Sequence, residues 1–249
     1  MAITVEREEF GGLTTLVLQD RQLDTPNPQR ILLCHGFGAP GNDLADIGAY
    51  LLQHNSHVAA TSCFIFPAAP IDLASAGMPG GRAWWPINMA QLAAMHETRD
   101  FQQLTGIAPP GMDAATDQLH RAMQHMQQQW NCDVSRFIVG GFSQGAMVTT
   151  NLTLTRQLRV AQLCIFSGTL LNSTEWSELA KSHPGLNVLM SHGNEDQILP
   201  IEAAELLRDM LQETGHAVDY LEFPGPHTIP QEILIRLQHS ILQNGSEPD

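Results

Sequence analysis

The sequence predicts an α/β domain in which a mainly parallel, doubly wound sheet is covered by helices on both faces and preceded by an antiparallel hairpin. Short apolar runs of strand type alternate with segments of helical periodicity from residue 30 to residue 242. This alternation is typical of right-handed βαβ crossovers. The length of 249 residues suits one large α/β domain, so we expect a single domain over 1–249.

The hydropathy pattern places each strand and helix. Residues 3–7 and 14–19 alternate around Gly11-Gly12 and predict the antiparallel hairpin. Buried strands are predicted at 30–34, 63–66, 137–139, 161–166, 187–191 and 217–223. Helices are predicted at 43–54, 89–104, 114–130, 146–158, 174–182, 201–214 and 230–242. Asn42 is the expected N-cap of the first helix. The segment 67–88 shows no period, and a stretch of that kind is usually functional or mobile.

Composition excludes several classes of partner. The formal net charge is −14, with 12 Lys and Arg against 26 Asp and Glu, so we expect binding neither to nucleic acid nor to anionic bilayers. No apolar run reaches membrane-spanning length, and the first residues lack the pattern of a secretory signal. Four scattered cysteines favour a reducing, cytoplasmic compartment, although a disulfide between two strands stays open.

A nucleophile elbow is predicted at Gly141-Phe142-Ser143-Gln144-Gly145, which has the G-x-S-x-G spacing. The turn must be tight enough to raise the serine hydroxyl above the sheet edge, and glycines on both sides permit that close approach. An ordinary strand-to-helix turn with an incidental serine is the alternative. The strand-type run before the motif and the helical pattern after it favour the elbow.

A serine becomes a nucleophile when a histidine takes its proton and an acid orients that histidine. The order Ser, acid, His is met by Ser143, Asp196 and His227, each after a predicted strand. Glu195 is an alternative acid, but its neighbour Asp196 has the better spacing to Pro200. His35 and His192 are alternative bases, and a structural role in hydrogen-bonding loop backbone is favoured for both. A solvated surface position is the alternative for His227.

Acyl transfer also needs two N–H groups directed at the developing oxyanion. We assign them to the backbone of Gln144, directly after the nucleophile, and of Phe37 in the loop His35-Gly36-Phe37-Gly38. A plain glycine turn is the alternative for this loop. His120 and His125 are five residues apart and form no zinc motif, so we expect no metal site.

The motifs together resemble the phospholipase/carboxylesterase family, which includes the acyl-protein thioesterases. The blocks that carry the resemblance are His35-Gly36-Phe37-Gly38, Gly80-Gly81-Arg82-Ala83-Trp84-Trp85, Gly141-Phe142-Ser143-Gln144-Gly145-Ala146, His192-Gly193-Asn194-Glu195-Asp196 with Pro200, and Pro226-His227. It covers nearly the whole chain, from residue 31 onward. The resemblance implies an α/β-hydrolase fold, a Ser143–His227–Asp196 triad, an oxyanion hole from Phe37 and Gln144, and hydrolysis of carboxylic or thioesters without a cofactor.

Departures from the family bear on substrate. Many relatives carry an acidic residue directly after the His-Gly-x-Gly block, whereas Ala39 follows here. The chain also looks longer than the compact thioesterases around 89–113, so we expect a lid-like segment within 67–113. Trp84 and Trp85 either line the acyl pocket and bind substrate or anchor the core.

These observations favour a serine carboxylesterase that hydrolyses small to medium acyl esters through an acyl-enzyme. A lysophospholipase or an acyl-protein thioesterase is the alternative, and a non-catalytic hydrolase-fold binding module is disfavoured because the sequence keeps all three triad residues. The expected partner is a small-molecule ester, without stable membrane insertion, and self-association stays open.

Overall fold

The computed structural model describes residues 2–87 and 105–245. Its strands are β1 (Ile3–Phe10), β2 (Leu13–Asp20), β3 (Gln29–Cys34), β4 (Ser62–Pro67), β5 (Ile71–Asp72), β6 (Arg82–Ala83), β7 (Phe137–Phe142), β8 (Gln162–Phe166), β9 (Asn187–Gly193) and β10 (Ala217–Phe223). Its helices are α1 (Ala45–His54), α2 (Ser56–Thr61), α3 (Met112–Trp130), α4 (Gln144–Thr155), α5 (Ser173–Ser182), α6 (Ile201–Glu213) and α7 (Gln231–Gly245). The helix predicted over 89–104 lies outside the described residues.

One eight-stranded sheet runs in the order β1-β2-β4-β3-β7-β8-β9-β10. β2 is antiparallel to both β1 and β4, and the remaining neighbours in this sheet are parallel. The hairpin turns at Gly11 and Gly12, whose φ angles of 56° and 82° lie in the region that glycine favours. The predicted α/β class and the antiparallel N-terminal hairpin are both confirmed.

The core divides into two layers because strand side chains alternate between the faces of the sheet. On β3, Leu32 packs into the layer beneath α3 to α6, whereas Ile31 and Leu33 pack into the layer beneath α1, α2 and α7. Every residue of β3 and of β4 is buried, as expected of strands covered on both faces. Within residues 2–87 and 105–245, no helix has both the length and the apolar character needed to cross a bilayer.

The start of the first helix differs from the prediction. α1 begins at Ala45 after Leu44 without a side-chain cap, and Asn42 instead accepts the Ala45 N–H through its main-chain carbonyl at 3.1 Å. A turn over 42–45 therefore precedes the helix and moves its start downstream. A further short helix, α2, was not predicted, and the Asn55 side chain caps it by accepting from the N–H groups of His57 and Val58.

The aperiodic segment 67–87 is ordered by polar contacts. β5 and β6 form a separate antiparallel pair, and a 3₁₀ turn at Ala74–Ala76 lies between them. The Arg82 side chain donates to the carbonyl oxygens of Ala69 and Pro70. These bonds involve backbone groups, so they leave no hydropathy period in the sequence.

Candidate active site

Ser143 lies in the strained turn between β7 and α4. Its φ of 55° and ψ of −120° are unusual for a residue with a side chain, and such strain is typical of functional turns. The Ser143 N–H donates to the Phe166 carbonyl at 2.9 Å, which fixes the turn on the next strand. A Cβ atom added to Gly145 would lie 2.0 Å from the Cys34 carbonyl oxygen, so the motif needs glycine there.

Asp196 lies on the loop after β9, and its side chain is fully buried. Its Oδ1 atom accepts the N–H groups of Ile198 at 2.8 Å and Leu199 at 2.9 Å. Burial raises the pKa of Asp196, but hydrogen bonds from His192 and His227 outweigh burial and hold the pKa well below its usual range. The carboxylate is therefore charged across the neutral range.

His227 lies on the loop after β10, and its Nδ1 atom donates to Asp196 Oδ2 at 2.6 Å. Its ring centroid is 4.6 Å from that of Phe142, the residue directly before Ser143. The loop that carries Asp196 and the loop that carries His227 are joined by a backbone hydrogen bond, because the Glu195 N–H donates to the Gly225 carbonyl at 3.0 Å. The imidazole thus lies beside the turn that holds Ser143. Asp196 binds Nδ1 and makes no bond to Nε2.

The geometry distinguishes the two adjacent acids. Asp196 directs its carboxylate into the protein and onto His227, whereas Glu195 is exposed. The geometry supports Asp196 as the acid that orients His227, and the spacing to Pro200 had favoured the same residue.

The loop after β3 lies against the serine. A Cβ atom added to Gly36 would lie 3.3 Å from Ser143 Cβ, so this loop borders the Ser143 side chain. Gln144 is the first residue of α4, and its N–H is one of the helix N-terminal donors. In the part of the chain that the structure describes, no acceptor binds the Phe37 N–H. Gln144 and the loop that carries Phe37 thus both adjoin Ser143.

The Gln144 side chain makes contacts that sequence reasoning missed. Its Oε1 atom accepts the Trp84 N–H at 2.9 Å, and its Nε2 atom donates to the Trp85 carbonyl at 2.8 Å. The same segment holds the loop that carries Phe37, since the Gly38 N–H donates to the Arg82 carbonyl at 2.9 Å. A chain of bonds therefore links the elbow to the loop that carries Phe37.

Trp84 and Trp85 are buried, with exposed fractions of 1% and 2%. Both indoles belong to the core layer beneath α3 to α6, and Trp84 Nε1 donates to the His35 carbonyl at 3.0 Å. Of the two roles open to these residues, the structure supports that of core anchors.

His35 and His192 both contact loop backbone. His35 Nε2 accepts the Ala69 N–H at 3.0 Å, so its Nδ1 atom donates to the Gly36 carbonyl at 2.8 Å, and burial lowers the pKa of His35. His192 Nε2 lies 3.0 Å from the Leu199 carbonyl oxygen and 3.3 Å from Asp196 Oδ2. The contact with Asp196 was not predicted, and the only signal for it was the four-residue spacing.

In the described ranges, no three His, Cys, Asp or Glu side chains converge as metal ligands would. His125, one of the two helix histidines, accepts the Gly11 N–H through Nδ1 at 3.3 Å instead.

Comparison with known proteins gives the family. The family model of phospholipases and carboxylesterases matches residues 21–244. Acyl-protein thioesterase 1 of Eremothecium gossypii is 25% identical over 182 residues, 72% of this chain and 71% of that protein. Acyl-protein thioesterase 1 homolog 1 of Dictyostelium discoideum is 24% identical over 215 residues, 84% of this chain and 88% of that protein. A match to acyl-protein thioesterase 1 of Neurospora crassa is 32% identical over 94 residues, 36% of this chain and 38% of that protein.

The solved structure of esterase PE8 superposes with a TM-score of 0.74 at 22% identity and covers 93% of this chain and 98% of that chain, a likeness that concerns the fold. The family match and the fold lead to one conclusion. The chain belongs to the phospholipase/carboxylesterase family and is a serine hydrolase of the α/β-hydrolase fold.

Proposed function

We propose that the protein is a carboxylesterase that hydrolyses small to medium acyl esters through Ser143, His227 and Asp196, with residues 1–249 as one catalytic domain. The observation that carries the proposal is the 2.6 Å bond from His227 to buried Asp196, beside the strained turn that holds Ser143. These are the parts that convert a serine hydroxyl into a nucleophile.

The reaction follows from the positions of the groups. Ser143 Oγ attacks the ester carbonyl while His227 Nε2 takes its proton, and Asp196 stabilises the resulting imidazolium. The N–H groups of Phe37 and Gln144 donate to the oxyanion. The bond to the leaving alcohol then breaks as His227 returns the proton to that oxygen. Water attacks the acyl-enzyme by the same route in reverse, which releases the acid and restores Ser143. No step requires a cofactor.

A second candidate is an acyl-protein thioesterase, because relatives that match more than two thirds of this chain carry that name. The same groups would cleave a thioester, and the thiol is a better leaving group than an alcohol, so proton delivery by His227 would matter less in that step. A lysophospholipase would use the same triad with a longer acyl chain.

Labelling with a fluorophosphonate probe tests the triad. We expect covalent labelling of the wild type, none of Ser143→Ala, and normal labelling of Ser135→Ala, an exposed serine that serves as the matched control. Ser143→Ala should lower kcat for p-nitrophenyl esters by roughly 10⁵- to 10⁶-fold. A folded wild type that the probe does not label would instead indicate a binding module.

A panel of p-nitrophenyl esters and matched thioesters tests the substrate class. We expect the highest kcat/KM for short and medium acyl oxygen esters. A steep preference for long chains would contradict this and favour the lysophospholipase, and a preference for thioesters would favour the thioesterase.

A further inference from the structure

Asp196 has a second histidine partner. His192 Nε2 lies 3.3 Å from Asp196 Oδ2, the same oxygen that accepts from His227. The His192 and Asp196 side chains are both fully buried. We propose that His192 is a positioning residue for hydrolysis, which fixes the Asp196 carboxylate and limits the negative charge that it presents to His227. This inference rests on the proposed role of the triad.

The surroundings of His192 identify which ring nitrogen carries the proton. Nε2 faces two acceptors, the Leu199 carbonyl oxygen at 3.0 Å and Asp196 Oδ2, so Nε2 must be the donor. Nδ1 then has no hydrogen-bond partner among the described residues. An unpartnered buried nitrogen is costly, and an apolar side chain would fill the same space without that cost. The contact made by Nε2 therefore explains a histidine at this position better than packing does.

His192 completes the set of donors around the carboxylate. Oδ1 accepts two backbone N–H groups from 198 and 199, and Oδ2 accepts from His227 on the loop after β10. His192 Nε2 on β9, which donates to the Leu199 carbonyl, lies 3.3 Å from the same Oδ2 atom. The other nearby acids face elsewhere, since Glu195 is exposed and Glu222 of β10 accepts from Asn194. Each donor draws charge from the carboxylate. Removing the His192 donor leaves more charge on Oδ2 for His227 alone.

A matched pair of variants tests the inference. His192→Met keeps the length and bulk of the side chain but removes the donor, whereas His192→Gln retains an N–H group near the position of Nε2. The readout is the pH profile of kcat/KM for a p-nitrophenyl ester with the full-length protein. We expect His192→Met to lower kcat/KM by roughly tenfold or more. We also expect its acidic limb to move to higher pH, because a more negative Oδ2 holds the proton on His227 more tightly.

His192→Gln should restore both the rate and the position of the limb toward the wild type. If the acidic limb of the His192→Met profile stays at the wild-type pH, the positioning role is overturned, whatever the size of kcat/KM. Loss of a residue that only packs would lower kcat/KM at every pH without moving the limb. If His192→Met does not fold, His192→Asn takes its place, because the shorter amide does not reach Asp196. Failure of the triad proposal looks different, because the wild type would then show no Ser143-dependent hydrolysis at all.

Discussion

The His227 ring donates through Nδ1 to Asp196 Oδ2 at 2.6 Å, and the Asp196 side chain has no exposed surface while 16% of the His227 side chain is exposed. This arrangement assigns the Nδ1 proton to the buried side of the ring and leaves Nε2 for the role of base that we propose for His227.

Asp196→Asn tests this pair. We expect kcat for a p-nitrophenyl ester to fall by roughly 10⁴-fold, because an amide nitrogen facing His227 Nδ1 favours the wrong tautomer. Steady-state kinetics give the rate, and a urea unfolding curve shows whether the variant is folded.

Glu195→Gln is the matched control, since it removes an adjacent but exposed carboxylate. Its kcat should stay within about twofold of the wild type, because screened surface charges contribute little. A large loss in Glu195→Gln with little loss in Asp196→Asn would reverse the assignment of the acid.

Gln144→Leu tests the bonds between the elbow and the 84–85 segment. It leaves the Trp84 N–H and the Trp85 carbonyl without partners in a buried site. We expect the free energy of unfolding to fall by about 2 kcal/mol or more. We also expect kcat/KM to fall roughly tenfold or more, because the loop carrying Phe37 loses its support.

Gln118→Leu is the control for this variant, because Gln118 also bonds to backbone, at Gly12, but is not buried. It should change neither quantity appreciably. Equal effects of the two substitutions on kcat/KM would show that the Gln144 side chain does not support the loop that carries Phe37.

Gly145→Ala tests the close approach of the β3 loop to α4. The new methyl group would lie 2.0 Å from the Cys34 carbonyl oxygen, so backbone must move. We expect a loss of at least about 3 kcal/mol in the free energy of unfolding. Gly77→Ala is the comparison, because Gly77 has a φ of 83° but no atom near its added Cβ. Gly77→Ala should lower the free energy of unfolding by only about 1–2 kcal/mol. A larger loss than that of Gly145→Ala would contradict the predicted clash at Gly145.

His35 gives the protein a defined pH response. Burial lowers its pKa below 6.5, against smaller effects of the bond to the Gly36 carbonyl and of the Asp43 charge that raise it, so the unfolded chain binds a proton at higher pH than the folded chain does. The free energy of unfolding should therefore fall as the pH drops below about 6.5. Urea unfolding from pH 8 to pH 5 measures this slope.

His35→Met should be less stable at every pH, because it loses the bond from the Ala69 N–H, but its stability should depend less on pH below 6.5. Above pH 7.5 the plots of the free energy of unfolding against pH for the wild type and for His35→Met should run parallel, which serves as the internal control. Curves that stay parallel down to pH 5 would show that His35 does not carry the response.

Much of the fold was predictable because local pattern encodes it. The alternation of strand and helix periods predicted the sheet, and the boundaries of β10 matched at both ends, 217 and 223. The Gly11-Gly12 pair predicted the hairpin, since only the backbone of the turn itself is involved. The start of α1 was wrong because Asn42 bonds through its main chain rather than its side chain, a choice that residue type does not encode.

The sequence by itself determined the fold class, the family and the order in which a serine, an acid and a histidine follow successive strands. Only the tertiary structure decided that Asp196 rather than Glu195 contacts His227, that Gln144 bonds to a segment about 60 residues away, and that His192 shares the carboxylate. Periodicity and motif spacing are properties of neighbouring residues, whereas these contacts depend on how separate loops pack together above one edge of the sheet.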